Sequence, residues 1–169
     1  AAMMTVRLAR CEDLPALQAL YDGARRFMAQ NGNPEQWKTG GPTRAALEQD
    51  IRRGESYVCE EDGTLCAAFM FRAPVAEGET EPDYACINGA WAAPGPYGVM
   101  HRVAVATQGK GVVGFCIDWC FAKCGNLRMD THRDNRPMRR ALTKNGFVYC
   151  GVIRLGFDGS ERLAYQKLK

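Results

Sequence analysis

Between residues 103 and 115 the chain reads VAVATQGKGVVGF. A short apolar strand runs into a glycine-rich turn, and the turn opens a helix. Glycines let the main chain approach a ligand, and the free N–H groups at the start of the next helix converge on an anion. Lys110 adds a cation at the same place. The chemistry offered is the holding of a diphosphate. The glycines at 109, 111 and 114 fit G-x-G-x-x-G, and Asp130 follows about 20 residues later, where a ribose-binding acid would stand. A dinucleotide fold, however, carries its glycine turn in the first strand–helix unit and needs several further crossovers. Here one strand, one helix and a terminal hairpin remain before the chain ends at 169, and Thr107 and Gln108 separate the strand from Gly109. The count of elements argues against a nicotinamide dinucleotide.

Groups able to move protons are few. There are 2 histidines. Period-two alternation puts His101, Val103 and Val105 on one face of their strand and Arg102, Ala104 and Ala106 on the other. His132 lies just past a strand end in DTHRDN, where orienting Asp130 or Asp134 is the alternative role. The 8 cysteines, at 11, 59, 66, 86, 116, 120, 124 and 150, contain no C-x-x-C pair. Those at 116, 120 and 124 stack along one stripe of a helix beside Phe115 and Trp119, the pattern of small apolar side chains facing a core. Reduced, structural cysteines and no metal are expected.

The elements that must position these groups follow from periodicity and punctuation. A first strand is expected over 5–9. A helix follows from Asp13 as N-cap through residue 30, with Pro15 in its first turn and Leu14, Leu17, Leu20, Tyr21, Ala24, Phe27 and Met28 on one face. Residues 31–42 are dense in turn formers and hold Trp37 in a loop. Thr43 caps a second helix that stops at Gly54. Strands over 56–60 and 65–71 meet across Asp62-Gly63, a hairpin signal. A long acidic connection carries Glu77, Glu79, Glu81 and Asp83, then Tyr84, Trp91 and Tyr97. The strand over 99–106 leads into the glycine turn, a helix over 111–123 and a strand over 127–131. A short helix starts at Asn135 and Pro137 and ends at Asn145-Gly146. Strands over 147–155 and 162–168 close the chain around Asp158-Gly159.

The turn resembles the GNAT N-acetyltransferase superfamily, whose central motif is Gln/Arg-x-x-Gly-x-Gly/Ala after a strand ending in an Ala-Val pair. This chain has Ala104-Val105, then Gln108-Gly109-Lys110-Gly111-Val112-Val113, with Val113 where Gly or Ala is usual and Gly114 one place later. A second family motif, Asn followed by a helix and Tyr-x-Lys-x-Gly-Phe, is matched by Asn135, Leu142, Lys144, Gly146 and Phe147. The resemblance implies a GNAT-like α/β fold, a mixed and mostly antiparallel central sheet flanked by helices on both faces, as one domain over 4–169. It implies acetyl-CoA as co-substrate, with its pyrophosphate on the turn from Gln108 to Gly114. The main chain of Val103, Ala104 and Val105 would meet the pantetheine arm and the thioester carbonyl where this strand splays from its neighbour. Asn135 would bond the arm or simply cap its helix.

The same resemblance frames the chemistry. His101 would lead a proton away from the acceptor amine, a task that suits an unperturbed pKa of about 6.5. Family members that use a tyrosine acid carry it where this chain has Leu142, which has no proton to give. Tyr149, Cys150 and His132 are the remaining donors, with solvent as the fourth. Arg133, Arg136, Arg139, Arg140 and Lys144 crowd one short helix, either as a solvated face or with Arg139, Arg140 and Lys144 toward a coenzyme phosphate. Trp37, Tyr84, Trp91 and Tyr97 would wall the acceptor side. The missing tyrosine leaves a non-catalytic acyl-CoA binding module as the rival reading.

The composition narrows the partners. A net charge of +3 with no basic face interleaved with aromatics points away from nucleic acid. No apolar run reaches the ~20 residues of a membrane span, and none follows Arg7 and Arg10 as an export signal would require. A cytoplasmic monomer or homodimer acting on an amine acceptor is expected.

Overall fold

The computed structural model describes residues 3–38 and 40–169. In chain order the elements are β1 (Met4–Leu8), α1 (Leu14–Gln30), α2 (Arg44–Arg52), β2 (Ser56–Glu61), β3 (Thr64–Val75), β4 (Asn88–Gly89), β5 (Tyr97–Val105), α3 (Val112–Cys124), β6 (Asn126–Thr131), α4 (Arg136–Lys144), β7 (Val148–Arg154) and β8 (Glu161–Leu168). The strands hydrogen-bond in the order β1-β2-β3-β5-β6-β8-β7-β4. The pairs β1–β2, β2–β3, β4–β7, β6–β8 and β7–β8 are antiparallel, and β5–β6 is parallel. This is the mixed, mostly antiparallel sheet the sequence implies. The chain packs as two compact units. One is the chain up to Phe71 with His101–Trp119, and the other is Arg72–Met100 with Cys120–Lys169.

In the first unit, local chemistry sets most boundaries. Asp62 and Gly63 both take positive φ, 52° and 85°, and turn β2 into β3. Thr43 accepts a hydrogen bond from the Ala46 N–H and caps α2. Asp13 precedes α1, but its carboxylate does not cap that helix. It takes both Nη atoms of Arg7 at 2.9 Å and the Arg10 N–H at 2.7 Å, and so ties β1 to the helix entry. Leu14, Leu17, Tyr21 and Ala24 of α1 pack with Leu47 of α2 on Val58, Ala68 and Ala104. Trp119 of α3 packs against Tyr57, Phe69 and Phe71. Adjacent strand residues point to opposite faces, so Val58 and Ala68 against Tyr57 and Phe69 put helices on both faces here.

The second unit has its own core of Val75, Tyr84, Tyr97, Val99, Ile153 and Ala164. The sequence reads the stretch between Phe71 and Val99 as one long acidic connection. In fact it carries the short strand β4, which reaches β7 at Asn88↔Val152 and Gly89↔Gly151. A Cβ at Gly151 would overlap the Asn88 carbonyl oxygen, so glycine is what permits that approach. The rest of the connection is tied down by side chains. Fully buried Arg128 donates to both carboxylate oxygens of Glu77, at 3.2 and 2.6 Å, and to the Ala93 carbonyl. Its guanidinium lies 4.2 Å from the Trp91 ring centroid and 4.1 Å from that of Tyr97. Buried Gln166 accepts from the Ala92 and Ala93 N–H groups and donates to the Ala93 carbonyl.

Candidate functional site

The glycine turn stands between two rigid supports in the first unit. On its strand side, the end of β5 is anchored from α1 and α2. Tyr21 Oη donates to the Arg102 carbonyl at 2.6 Å, and the Arg102 guanidinium makes paired 2.9 Å bonds to the buried Asp50 carboxylate. Arg102 takes φ 53°, a conformation that costs an L-residue on the order of 1–3 kcal/mol unless its surroundings enforce it. Those three bonds do so. The Ala106 N–H then donates to the Cys66 carbonyl at 2.8 Å, fixing where the strand stops. On the helix side, Val112, Cys116 and Ile117 are buried and seat the first turns of α3.

Residues 106–111 between these supports are exposed. Gly109 and Gly111 take φ of 80° and 72°, and a Cβ built on either would meet nothing within 4 Å. The space beside both glycines is open to a ligand. The first ladder bond of α3 runs from the Phe115 N–H to the Gly111 carbonyl at 3.1 Å. The N–H groups of Val112, Val113 and Gly114 therefore lie ahead of the helix ladder, at the positive end of its dipole. No acidic residue sits in that turn, and Lys110 is exposed beside it. An open groove of about 810 Å³ adjoins the strand side of the turn, lined among others by Leu20, Phe27, Leu65, Val105 and Gln108. This size lies within the usual range of small-molecule sites. The arrangement can hold a phosphate-rich ligand through the main chain, and its residues fit that group.

Within β5, Val103 and Val105 are half-buried and Ala104 is buried. The ladder of β5 to β6 joins Gly98 with Leu127 and Val99 with Arg128, which leaves the main chain of its last residues for other partners. His101 is half-buried one residue before the positive φ at Arg102. That left-handed residue interrupts the uniform alternation, so sequence spacing alone no longer aligns His101 with Val103 and Val105. This corrects the alignment, not the presence of a titratable group on the strand.

The second unit places the other expected residues. The Asn135 side chain accepts from the Met138 N–H at 3.2 Å and caps α4, the simpler of its two expected roles. Arg139, Arg140 and Lys144 line a pocket of about 540 Å³. His132 Nδ1 accepts the Asp134 N–H at 3.0 Å, so the neutral ring carries its proton on Nε2. Tyr149 is 56% exposed, with its ring edge-on to Tyr165. Burial pushes the Cys150 thiol up, and its Sγ donates to the Val148 carbonyl.

Two of the four acceptor-side aromatics need correction. Tyr84 and Tyr97 are core residues of the second unit, 2% and 1% exposed. Tyr84 donates to Asp130 Oδ1 at 2.5 Å, and Trp91 Nε1 donates to the Tyr84 carbonyl. Asp130 is therefore the partner of a tyrosine, not a ribose acid. Burial and that carboxylate push the Tyr84 hydroxyl well up. Trp91 is partly buried against the same core, and Trp37 is partly buried and packs on Tyr21 at 5.8 Å between ring centroids. The cysteine stripe is as expected, with Cys116 and Cys120 buried and Cys124 half-buried, and no disulfide forms among the described residues.

Sequence reasoning missed Asp50, Tyr21 and Arg128. A signal existed for the first. Asp50 follows Leu47 by three on the apolar stripe of α2, and a carboxylate there requires a buried cation.

Among the described residues no helix is long and apolar enough to cross a membrane, and no three metal-ligating side chains are gathered together. No family model matches the sequence. No curated protein matches it either. Solved structures do. A GNAT-family acetyltransferase from Streptococcus agalactiae is 33% identical, with a TM-score of 0.86 over 98% of this chain and 95% of that one. A GNAT-family acetyltransferase from Listeria monocytogenes is 20% identical, with a TM-score of 0.68 over 99% of each. The ribosomal-protein-S18-alanine N-acetyltransferase from Escherichia coli shares the fold at 13% identity, with a TM-score of 0.62 over 98% of this chain and 93% of that one.

Proposed function

The chain belongs to the GNAT family of acetyltransferases, and from that premise we propose that it transfers an acetyl group from coenzyme A to an amine. The observation that carries the reading is the exposed turn, with open space beside Gly109 and Gly111 and three N–H groups ahead of the α3 ladder. When bound, acetyl-CoA would supply the acyl group as a thioester, with the coenzyme A thiolate as leaving group.

The chain's own residues divide the remaining work. The N–H groups from Gly109 to Gly114 bind the diphosphate, with Lys110 adding one charge-assisted contact and Gln108 closing the strand side. The main chain of Val103, Ala104 and Val105 orients the pantetheine arm and polarises the thioester carbonyl, stabilising charge that develops on its oxygen. His101 takes the proton of the acceptor ammonium, directly or through water. A proton for the leaving sulfur comes from Cys150, whose half-buried thiol stays protonated at neutral pH, from the Tyr149 hydroxyl, or from His132 Nε2. Asn135 sets the start of α4.

The acceptor is an amine on a small molecule, peptide or protein. The low-identity neighbours lend only their fold, so the ribosomal acceptor named for one of them does not transfer. Leu142 favours the rival reading as a binding module, because a fully buried aliphatic side chain stands where an acid would be. Two measurements separate the readings. Calorimetry should show acetyl-CoA binding to the native protein and its loss in a folded Gly111→Asp variant, which sets a side chain and a negative charge against the diphosphate. Thiol release across a broad amine panel should then show turnover. Undiminished affinity in Gly111→Asp would end the turn's assignment, and binding without turnover on any amine would favour the module.

A further inference from the structure

Within the first unit, Cys59 on β2 and Cys66 on β3 meet where the hairpin ladder is irregular. Cys59 stands opposite Ala67 and Glu60 opposite Leu65, so Cys66 is an extra residue with no ladder partner on β2. Both are free thiols, Cys59 fully buried and Cys66 half-buried. The Cys66 S–H donates to the Cys59 sulfur. The Cys66 carbonyl accepts the Ala106 N–H at 2.8 Å, the bond that ends β5 just before the glycine turn. Thr64 and Leu65 line the same groove as Val105, Ala106 and Gln108. One bulged residue thus meets a second thiol with its side chain and holds the approach to the turn with its main chain.

We propose that Cys59 and Cys66 form a thiol–disulfide switch that resets the strand end beside the glycine turn. Opposed residues on neighbouring strands keep their Cβ atoms about 4.5–5.5 Å apart, and a disulfide draws them to about 3.8 Å, a movement of roughly 1 Å. Cys59 cannot supply it, because its neighbours Val58, Ala67 and Ala68 are fully buried in a close-packed core. Cys66 can, since the ladder is already open there, and it carries Leu65 and the carbonyl that Ala106 bonds. The co-reactant is a low-molecular-weight disulfide, oxidised glutathione in the test below. The Cys66 thiolate attacks one of its sulfurs, forming a mixed disulfide and releasing one small thiolate. The Cys59 sulfur gives its proton to that thiolate, attacks Cys66 Sγ and displaces the second. Two protein thiols are oxidised and one small disulfide is reduced to two thiols. Burial, the bond to Cys59 and the charge of Glu61 push the Cys66 thiol up to about 12. Little thiolate forms at neutral pH, so the pair ignores a brief pulse and follows a redox poise held for hours.

The test uses a Cys11→Ser/Cys86→Ser background, which removes the exposed thiols. The protein is held overnight in oxidised glutathione, and half of it is then returned to dithiothreitol. Peptide mass mapping without reduction locates the link, and amide hydrogen exchange over residues 105–114 is compared between the two forms. The expected result is a Cys59–Cys66 link, with exchange over 105–114 altered severalfold and restored by dithiothreitol. A further Cys66→Ser change, or Cys59→Ala should that variant not fold, forms no link and leaves exchange unaltered by glutathione. On the reading under Proposed function, acetyl-CoA also binds the linked form about tenfold more weakly than the reduced one, because the N–H groups no longer converge on the diphosphate. The proposal is overturned by the absence of the link, by a link that leaves exchange at 105–114 unchanged, or by equal, measurable acetyl-CoA affinity in the two forms. A link with altered exchange, in a protein whose reduced form binds no acetyl-CoA, overturns the proposed function and leaves the switch standing.

Discussion

Replacing Glu77 by Gln isolates the cost of leaving Arg128 buried without its counter-charge. The guanidinium is fully buried between two aromatic rings, and the Glu77 carboxylate, itself 46% exposed, is its charge partner. Glutamine keeps the shape and can still accept from the Gly95 N–H that Glu77 now bonds at 2.9 Å. Removing one partner of a buried pair costs about 3–5 kcal/mol. Solvent at Glu77 and the cation–π faces around Arg128 reduce this to roughly 1.5–2.5 kcal/mol. For a chain of this length that is a drop of roughly 3–10 °C in the unfolding midpoint at pH 7. Arg128 holds the Glu77 carboxyl below its ordinary value of 4.5. The stabilisation is therefore complete above that value and lost as pH falls through the lower folded value, so native and variant curves should converge in acid. A double variant, Glu77→Gln with Arg128→Met, leaves no buried charge and should recover most of the loss. Thermal and urea unfolding at several pH values measure all of this. A Glu77→Gln protein as stable as the native one at pH 7 would refute the reasoning.

Other substitutions test the chemistry. His101→Gln cannot titrate, so it should erase the acid limb of the pH–rate profile and lower turnover by about 10²-fold with coenzyme affinity intact; an unchanged pH–rate profile makes the histidine structural. Leu142→Tyr does not install an acid. At a fully buried site the larger ring should destabilise by about 1–3 kcal/mol, read as a lowered urea midpoint. Tyr149→Phe or Cys150→Ala should lower turnover without changing coenzyme affinity if that group donates the proton, and if both are silent with chemistry rate-limiting, His132 or solvent is the donor.

What was legible in the sequence was local. Thr43, Asp62-Gly63 and Asn135 fix their elements through bonds that span a few residues, and the glycine turn declares itself by residue type. The reading failed where a distant partner decides. Nothing near Arg102 announces a left-handed residue, because Asp50 and Tyr21 enforce it from other helices. Tyr84 and Tyr97 looked like loop aromatics because their segment lacks strand periodicity. Their burial depends on Asp130, Arg128 and the Trp91 ring, which sequence order does not bring together.

A ligand site made of main-chain N–H groups is silent to most point substitutions. Val112 can change to any residue that still seats the helix, and Val113 to nearly anything, without moving a donor. Only positions such as Gly109 and Gly111, where φ itself is the requirement, remain pinned. Lineages that keep such a site can therefore drift apart in sequence while their backbones stay superimposable. A TM-score of 0.86 at 33% identity is a backbone held more closely than its letters.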